Sequence, residues 1–458
     1  MGDHGRSERE YRVRSARAES SPLKPNNMKV SQFNLFFPYE DYKIGFNSFS
    51  NEFIILEEML YEMYQASVKS ISFEELQEVH PDFYALLCDK GFLVDPGINE
   101  VQRVIEVSRM IDNDESQFQL HINPTMNCNF KCWYCYETHI KDSKMDAETL
   151  NRTKALILAI FREKKALRDF RLGWFGGEPL LYFNKVVEPI LEYAHGQAAE
   201  KGIQFQSSIT TNGLLINQHV IDCAKKFNLN FFQITLDGNR ERHDKVRFIS
   251  EGRGSYDTIV ANIISLADSG IAVSVRINIS VETLPGVNDI AVDFSRVSEE
   301  ARKFISFDLH KVWQVNEDID DEITEKRFYF RDKGFKVSSG THDTVLNSCY
   351  GDKRNHAVIN YNGETFKCTA RDFTTKNSEG LLDENGHIRW SDKYEKRLNS
   401  KFKNKPCLEC AILPMCGGGC SQQALEHEGV DYCVHDFDEN KKLQLVKNKF
   451  MEILVERE

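Results

Sequence analysis

The strongest constraint on the fold is an alternation of strand-like and helix-like segments between about residues 117 and 315. Six segments, from "FQLHINPT" to "KFISFDLHKV", are rich in β-branched and aromatic residues, and helix-like stretches such as "AETLNRTKALILAIFREKK" separate them. Alternation of this kind predicts βαβ units and a parallel sheet. Six units are too few for an eight-stranded barrel, so the sequence predicts an α/β fold built as a partial, TIM-like (β/α)6 barrel.

The predicted carboxyl ends of these strands carry distinctive sequences. The first strand leads directly into "MNCNFKCWYCYE", where Cys128, Cys132 and Cys135 form a C-x3-C-x2-C pattern. Later strands end in "GGEP", "TTNG" and "TLDG". In parallel α/β folds the carboxyl ends of the strands meet on one face, and the chemistry lies there. We therefore expect the cysteine loop and the three glycine-containing ends to form one site.

Three thiols so close together suit an iron–sulfur cluster. They can bind three irons of a [4Fe–4S] cluster and leave the fourth iron available to a cosubstrate. A structural zinc site usually has four ligands, and a disulfide would leave one thiol over. Ten of the twelve cysteines lie in two groups, whereas Cys88 and Cys223 stand alone on apolar helical patterns and are predicted to be packing residues.

The first group, with Tyr134 just before its third cysteine, resembles the signature of the radical SAM superfamily. "WFGGEPLL" at 174–181 resembles the GGE motif of that family, which binds the methionyl amino group of S-adenosylmethionine. The resemblance covers about residues 113–315. It implies that six residues surround this cosubstrate: Tyr134, Gly176, Gly177, Glu178, Thr235 and Arg247.

The resemblance also implies a role for each of these residues. Tyr134 would lie beside the adenine, and the two glycines would let the backbone approach the cosubstrate. Glu178 would hold its loop, Thr235 would contact the ribose or carboxylate, and Arg247 would pair with the carboxylate. The implied chemistry is reductive cleavage of S-adenosylmethionine to a 5′-deoxyadenosyl radical, which abstracts a substrate hydrogen, while the protein positions and shields it.

A second group of cysteines lies near the carboxyl end. C-x2-C also occurs in zinc ribbons, but seven cysteines do not divide into closed zinc sites. The pattern resembles the seven-cysteine SPASM extension of radical SAM enzymes, which carries two auxiliary [4Fe–4S] clusters. The resemblance implies that Cys407, Cys410, Cys416 and Cys433 hold the outer cluster. It implies that Cys349, Cys368 and Cys420 hold the inner one, which has no evident fourth cysteine; if its fourth iron is open, a substrate thiolate would bind there.

The sequence predicts four segments. Residues 1–27 are basic, Ser-rich and poor in large apolar residues, and they lack the apolar segment of a secretory signal, so they are predicted to be a disordered leader. Residues 28–112 combine strand-like and helix-like runs and predict a small winged-helix-like module. Residues 113–330 are the predicted partial barrel, and residues 335–448 are the predicted SPASM domain.

Many SPASM peptide maturases carry an N-terminal element that binds the leader of a precursor peptide by strand addition, and residues 28–112 resemble it. The resemblance implies an enzyme that abstracts a hydrogen from a ribosomally made precursor peptide and installs a thioether or carbon-centred crosslink. An alternative is the anaerobic sulfatase-maturating enzymes, which make formylglycine, but Thr369 stands where they carry a catalytic aspartate. Two further alternatives are another radical SAM dehydrogenase and a non-catalytic iron–sulfur scaffold.

Composition restricts the partners. The net charge of −12 disfavours nucleic acid, because an acidic chain repels the phosphate backbone. No apolar run approaches the roughly 18 residues of a membrane helix, so no membrane partner is expected. Clustered thiols without a secretion signal indicate a reducing compartment and a cytoplasmic protein. The family resemblance implies a flavodoxin or ferredoxin as the reductant.

Overall fold

The computed structural model describes residues 28–70, 72–338 and 344–455, and the predicted leader at 1–27 lies outside them. The described chain forms two compact units. The first comprises 28–106, 405–418 and 437–455, and the second comprises 107–404 and 419–436.

Within its described residues, the first unit contains five strands. They are β1 (Lys29–Val30), β2 (Asn34–Tyr39), β3 (Tyr42–Asn47), β4 (Glu52–Leu56) and β5 (Leu93–Val94). Strands β2, β3 and β4 form an antiparallel sheet with β3 in the centre, and β1 pairs antiparallel with β5.

The helices of the first unit come from both ends of the chain. They are Glu58–Ser70, Glu74–Val79, Pro81–Asp89, Lys405–Leu408, Leu413–Cys416 and Glu439–Val455. Helix Glu100–Asp112 begins in this unit and ends in the second. Phe37 and Phe46 of the sheet share one apolar cluster with Ile412, Val446 and Phe450. Burial of these apolar side chains is what holds the carboxyl-terminal helix to the sheet.

The described residues of the second unit contain thirteen strands. They are β6 (Gln117–Ile122), β7 (Asp169–Trp174), β8 (Gln204–Thr211), β9 (Leu229–Leu236), β10 (Phe248–Ser250), β11 (Arg253–Gly254), β12 (Ala272–Ile279), β13 (Ile305–Lys311), β14 (Lys336–Val337), β15 (His356–Ile359), β16 (Glu364–Phe366), β17 (Gly380–Leu382) and β18 (Ile388–Trp390). Eleven of them form one sheet in the order β14-β13-β12-β9-β8-β7-β6-β15-β16-β17-β18. The pairs from β14 to β15 are all parallel, and the pairs beyond β15 are antiparallel. The predicted α/β fold with a parallel sheet is confirmed.

Helices follow these parallel strands. Those of the second unit are Ala147–Glu163, Glu188–Lys201, Gln218–Lys226, Arg240–Val246, Tyr256–Asp268, Val287–Asp293, Glu299–Arg302, Asp320–Asp332, Asp392–Leu398 and Ser421–Glu426. The first begins where the Asp146 side chain accepts a hydrogen bond from the backbone N of Thr149, at 2.7 Å. Its buried Leu156, Ile157 and Ile160 recur at helical spacing and join the main core of the unit.

The six central strands separate apolar from polar side chains by their two-residue repeat. In β8, Phe205 is buried in the core, while Ser208 and Thr210 on the other face line a cavity. In β12, Ile277 packs in the core and Arg276 lines the same cavity. The polar residues of one face therefore surround the cavity in which the site lies.

Strands β15 and β16 form a hairpin within "AVINYNGETFKC", and Gly363 in its turn has a φ of +85°. Strand β15 also pairs in parallel with β6, which adds a strand beside the cysteine loop. Among the described residues, no helix is both long enough and apolar enough to cross a membrane.

Candidate active site

The first three cysteines lie on the loop that joins β6 to helix Ala147–Glu163. The base of this loop is closed by Thr125, whose hydroxyl donates to the carbonyl of Ser143 at 2.5 Å. The Ser143 hydroxyl in turn accepts from the backbone N of Met126 at 2.9 Å. Next to Cys128, the Asn129 Oδ1 accepts a hydrogen bond from the Asn212 side chain at 2.7 Å, which joins the loop to the end of β8. The cysteines are therefore carried by a loop with fixed ends.

Gly176 and Gly177 lie against this loop. A Cβ added to Gly177 would lie 2.2 Å from the carbonyl oxygen of Asn127, and one added to Gly176 would lie 2.6 Å from that of Thr125. The backbone N of Gly177 donates to the Thr125 carbonyl at 3.0 Å. Gly176 also has a φ of +97°, which favours glycine. Glycine is thus required at both positions for the close approach of the cysteine loop.

Glu178 is fully buried, and its carboxylate accepts three hydrogen bonds from two segments, the end of β8 and its own loop. Its carboxylate accepts from the Thr211 hydroxyl at 2.7 Å, from the Asn212 backbone N at 2.8 Å and from the Leu180 backbone N at 2.9 Å. Burial raises the pKa of Glu178, although these three donors stabilise its charged form. The end of β7 is thereby joined to the end of β8, in agreement with a loop-holding role.

Tyr134 and Arg247 meet at Asp237, a residue that the sequence reasoning did not single out. The Tyr134 hydroxyl donates to one carboxylate oxygen of Asp237 at 2.6 Å, and the Arg247 Nε donates to the other at 2.7 Å. The Arg247 Nη2 also donates to the Tyr134 oxygen at 2.7 Å. All three groups are largely buried, and burial raises the pKa of the Tyr134 hydroxyl well above its usual value. Asp237 directly follows β9, in "TLDG". Its position at the end of a predicted strand could have identified it as a residue of the site.

The cavity has a volume of about 550 Å³ and extends from the cysteine loop along the polar face of the strands. Cys128, Cys132 and Cys135 line one part of it, together with Tyr134, Gly176, Gly177, Thr235 and Arg247. The structure thus brings these predicted site residues to one cavity, and the buried Glu178 lies directly behind it.

Two histidines form a hydrogen-bonded pair at the cavity. His121 on β6 lines the cavity, and its Nδ1 lies 3.0 Å from the Nε2 of the buried His356 on β15. Gly173, opposite His121 on β7, leaves room for the imidazole, since a Cβ there would lie 2.2 Å from its Cδ2. Burial lowers the pKa of His121 to about 4, so the imidazole is neutral near pH 7.

On the opposite side of the polar face, His310 of β13 lines the cavity beside Arg276 of β12. Burial and then the positive charge of Arg276 lower the pKa of His310 to about 4, so it too is neutral. Side chains alternate between the two faces of a strand, so the strand patterns could have placed His121 and His310 on the cavity face, but only once the strand register was known.

The second unit also brings Cys349, Cys368 and Cys420 close enough to interact electrostatically. The residues after two of these cysteines line the same cavity: Tyr350, Thr369 and Ala370. The Tyr350 hydroxyl lies 2.5 Å from the Thr369 Oγ1, which fixes the two loops against each other. The predicted inner set of cysteines is therefore adjacent to the cavity.

The two cysteine loops of the second unit are directly connected. The Tyr136 hydroxyl donates to the Thr369 carbonyl at 2.7 Å, and both the backbone N and the hydroxyl of Thr138 donate to the Asp372 carboxylate, at 2.8 and 2.6 Å. Tyr136 and Thr369 each immediately follow a cysteine. This junction was not predicted, because no local pattern indicates it.

The remaining predicted ligands are divided between the units. Cys407, Cys410 and Cys416 lie in the first unit, where the backbone N of Cys410 donates to the Cys407 carbonyl at 3.2 Å. Cys433 lies in the second unit. None of the twelve cysteines, all of which are in the described part of the chain, forms a disulfide.

The thiols fit iron–sulfur ligation by their surroundings. In three cases a sulfur accepts a backbone N–H from two residues later: Cys128 from Phe130 at 3.4 Å, Cys368 from Ala370 at 3.3 Å and Cys433 from His435 at 3.4 Å. Such bonds stabilise thiolate sulfur and tune cluster potentials. Burial raises the pKa of Cys128 and of Cys349 to about 12, so these sulfurs need a cationic metal to be deprotonated at neutral pH.

Comparisons with known proteins agree with this site. Residues 122–293 match the Radical SAM superfamily. The radical SAM cyclopropyl synthase TigE of Paramaledivibacter caminithermalis is 23% identical over 381 residues, which cover 76% of this chain and 76% of that protein. The Fe-coproporphyrin III synthase of Methanosarcina barkeri is 31% identical over 246 residues, 50% of this chain and 55% of that protein.

A solved structure shares the fold over most of the chain. Streptococcus suis SuiB, bound to its precursor peptide SuiA, superimposes with a TM-score of 0.50 at 16% identity. The superposition covers 88% of this chain and 98% of that protein.

Proposed function

We propose that the protein is a radical SAM enzyme that modifies a ribosomally made precursor peptide, a proposal supported by the match of residues 122–293 to the Radical SAM superfamily. One observation carries the proposal: a single cavity is lined by the first three cysteines and by the residues that follow Cys349 and Cys368. A substrate in this cavity would reach both groups. Neither an electron carrier nor a scaffold requires such a cavity.

Cys128, Cys132 and Cys135 would hold a [4Fe–4S] cluster and leave its fourth iron for S-adenosylmethionine. Bound together, the cluster and this cosubstrate supply a 5′-deoxyadenosyl radical. The chain's part is to orient the cosubstrate: Arg247 uses its Nε and Nη2 on Asp237 and Tyr134, which leaves Nη1 for the methionyl carboxylate. Thr235 on the cavity wall would contact the ribose or the same carboxylate, and Gly176 and Gly177 would keep the cysteine loop close to it.

Cys349, Cys368 and Cys420 would hold an inner auxiliary cluster, and Cys407, Cys410, Cys416 and Cys433 would hold an outer one, which gives three [4Fe–4S] clusters in all. The auxiliary clusters supply an acceptor for one electron. We propose that the product is a thioether or carbon-centred crosslink, because forming such a bond removes two hydrogens from the peptide. The 5′-deoxyadenosyl radical would take one of them as a hydrogen atom, the other would leave as a proton, and an auxiliary cluster held by these cysteines would accept the remaining electron.

His121 is the group placed to take that proton. It lines the cavity, it is neutral near pH 7, and its hydrogen bond to the buried His356 fixes the orientation of its ring. Neutral imidazole is the commonest acceptor in general base chemistry. We assign it this role within the proposed reaction.

The peptide assignment rests on resemblance to relatives and on the first unit. SuiB was solved with its precursor peptide, and TigE is named as a cyclopropyl synthase. Strands β2 and β4 are the outer strands of the β2–β4 sheet. An extended leader peptide can pair with the outer edge of such a sheet, and the proposed module at 28–112 would use this mode. A flavodoxin or ferredoxin would supply the electrons.

The test is anaerobic reconstitution with iron and sulfide. We expect about twelve irons per chain, three clusters of four, and formation of 5′-deoxyadenosine from S-adenosylmethionine. Cys132→Ala should abolish cleavage and leave about eight irons. Cys368→Ala should retain cleavage and lose modification of a precursor peptide encoded beside the gene. The matched control is Cys88→Ala, which should change neither quantity.

A fully loaded protein that forms no 5′-deoxyadenosine, with or without the precursor peptide, would refute the enzyme and favour an iron–sulfur scaffold. Cleavage with only about four irons, and zinc at the other cysteines, would refute the auxiliary clusters.

A further inference from the structure

A group of metal-ligating side chains outside the cysteine clusters lies on two helices of the second unit. Glu188 begins helix Glu188–Lys201, and His219 and Cys223 lie on helix Gln218–Lys226. One ligand atom from each of these three residues lies within 4.8 Å of the others. Cys223 was expected to be a packing residue; it is buried, but its sulfur faces a carboxylate and an imidazole.

The distances among these three side chains are close to those around tetrahedral zinc. The Cys223 Sγ lies 3.7 Å from the His219 Nε2 and 3.3 Å from the Glu188 Oε1, and the His219 Nε2 lies 3.1 Å from the other carboxylate oxygen, Oε2, so the carboxylate must turn to bring one oxygen to both. Zinc bonds of about 2.3 Å to sulfur and about 2.0 Å to nitrogen and oxygen, set at tetrahedral angles, separate sulfur from the other two atoms by about 3.5 Å and nitrogen from oxygen by about 3.3 Å. The three side chains therefore need little movement to bind one ion.

The backbone explains why these residues meet. His219 and Cys223 are four positions apart, so their side chains share one face of the helix. Glu188 follows a π-helical turn at Phe183–Val187, and such turns insert an extra residue and often occur at functional positions. Phe183 packs edge-on against the His219 ring with centroids 5.9 Å apart, which restricts its orientation. The His219 side chain is about half exposed, which gives an ion access from solvent.

We propose that Glu188, His219 and Cys223 form a zinc site, with water as the fourth ligand. A mixed set of one sulfur, one imidazole and one carboxylate is typical of zinc and unsuited to magnesium or calcium, which prefer oxygen. The ion would join the helices that follow β7 and β8. In the chain, the Gly176–Glu178 loop precedes the first of these helices, and Thr211–Asn212 precedes the second. A bound ion would therefore stabilise the two helices that support these cavity residues. The proposal is independent of the reaction assigned above.

The experiment adds zinc to the cluster-loaded protein, removes excess ion by gel filtration, and counts zinc and iron per chain. X-ray absorption at the zinc edge then reports the ligands without interference from iron. We expect one zinc with one sulfur at about 2.3 Å and three nitrogen or oxygen atoms at about 2.0 Å. His219→Gln and Glu188→Gln should lose the zinc and keep the iron, and zinc should raise the thermal midpoint of the wild type alone by several degrees.

The matched controls are His195→Gln, on helix Glu188–Lys201, and Cys88→Ser, in the first unit. Both variants should retain the zinc. His219 is half exposed, so His219→Gln tests the site even if Cys223→Ser fails to fold. Equal zinc in the wild type and in His219→Gln would overturn the proposal. A zinc surrounded by four sulfurs would also overturn it, because that ion would be bound by the cluster cysteines.

Discussion

Alanine at Gly177 tests whether the cysteine loop depends on the absence of a single methyl group. The added Cβ would lie 2.2 Å from the Asn127 carbonyl oxygen and 2.8 Å from the Met126 carbonyl carbon. Non-bonded carbon contacts are optimal at about 3.5 Å, so the loop backbone must move by about 1 Å. Overpacking of this kind costs about 1–3 kcal/mol of folding free energy. The movement would also strain the hydrogen bond from Glu178 N to Asn127, which is 2.8 Å long.

The displaced residue directly precedes Cys128, so the effect on chemistry should exceed the effect on stability. A misplacement of about 1 Å can cost about 100-fold in rate, and we expect a loss of at least that order in 5′-deoxyadenosine formation, with less iron bound per chain. Urea unfolding under anaerobic conditions, iron analysis and a timed cleavage assay measure the three quantities.

Gly196→Ala is the matched control. Gly196 lies exposed within helix Glu188–Lys201, and an added Cβ there meets nothing within 4 Å. Replacing a helical glycine by alanine should stabilise the fold by about 0.5–1 kcal/mol. If the Gly177 variant matches the Gly196 variant in iron content, stability and cleavage rate, the reasoning from close approach is refuted.

Three further predictions follow from buried polar groups. Arg397→Met leaves Glu379 buried without its ion-pair partner, and should lower the free energy of unfolding by about 3–5 kcal/mol. Arg389→Met removes the partner of Asp383 at the surface and should change the free energy of unfolding far less; urea titration compares the two variants. Burial lowers the pKa of His243 from 6.5 to about 4. The unfolded chain therefore binds a proton at this residue that the folded chain does not, and His243 alone should lower the free energy of unfolding by up to about 3 kcal/mol as the pH drops from 7 to 4, so the total fall should be smaller by about that amount in His243→Gln. His121→Gln should reduce peptide product by about 100-fold while 5′-deoxyadenosine formation persists, and equal product by mass spectrometry would refute its role.

The strands and the first cysteine loop were predictable because their signals are local. The six predicted strand segments correspond to β6, β7, β8, β9, β12 and β13. Each is marked by a short run of β-branched or aromatic residues that ends at a turn. The C-x3-C-x2-C spacing likewise lies within eight residues, so it needs no knowledge of the fold.

Other features depend on contacts between distant residues. Strand β15 pairs with β6 more than 230 positions earlier, and Phe450 packs in one cluster with Phe37. No periodicity in either segment reports its partner, because pairing at a sheet edge is decided by the tertiary structure. The partner of Arg247 was likewise not visible in the local sequence. We expected it to bind the cosubstrate carboxylate, and in the structure it also donates to Asp237.

The junction between the two cysteine loops has a consequence for substrate binding. Tyr136 and Thr369 are each one residue beyond a cysteine, and the bond between them is part of the cavity wall. Thr138 and Asp372 add two charge-assisted bonds beside it. A peptide that displaces either loop must therefore move or break these bonds, and the other loop is constrained to follow. In the proposed reaction, the bonds of this junction would therefore fix the position of a substrate side chain relative to both groups of cysteines, and local sequence patterns do not reveal them.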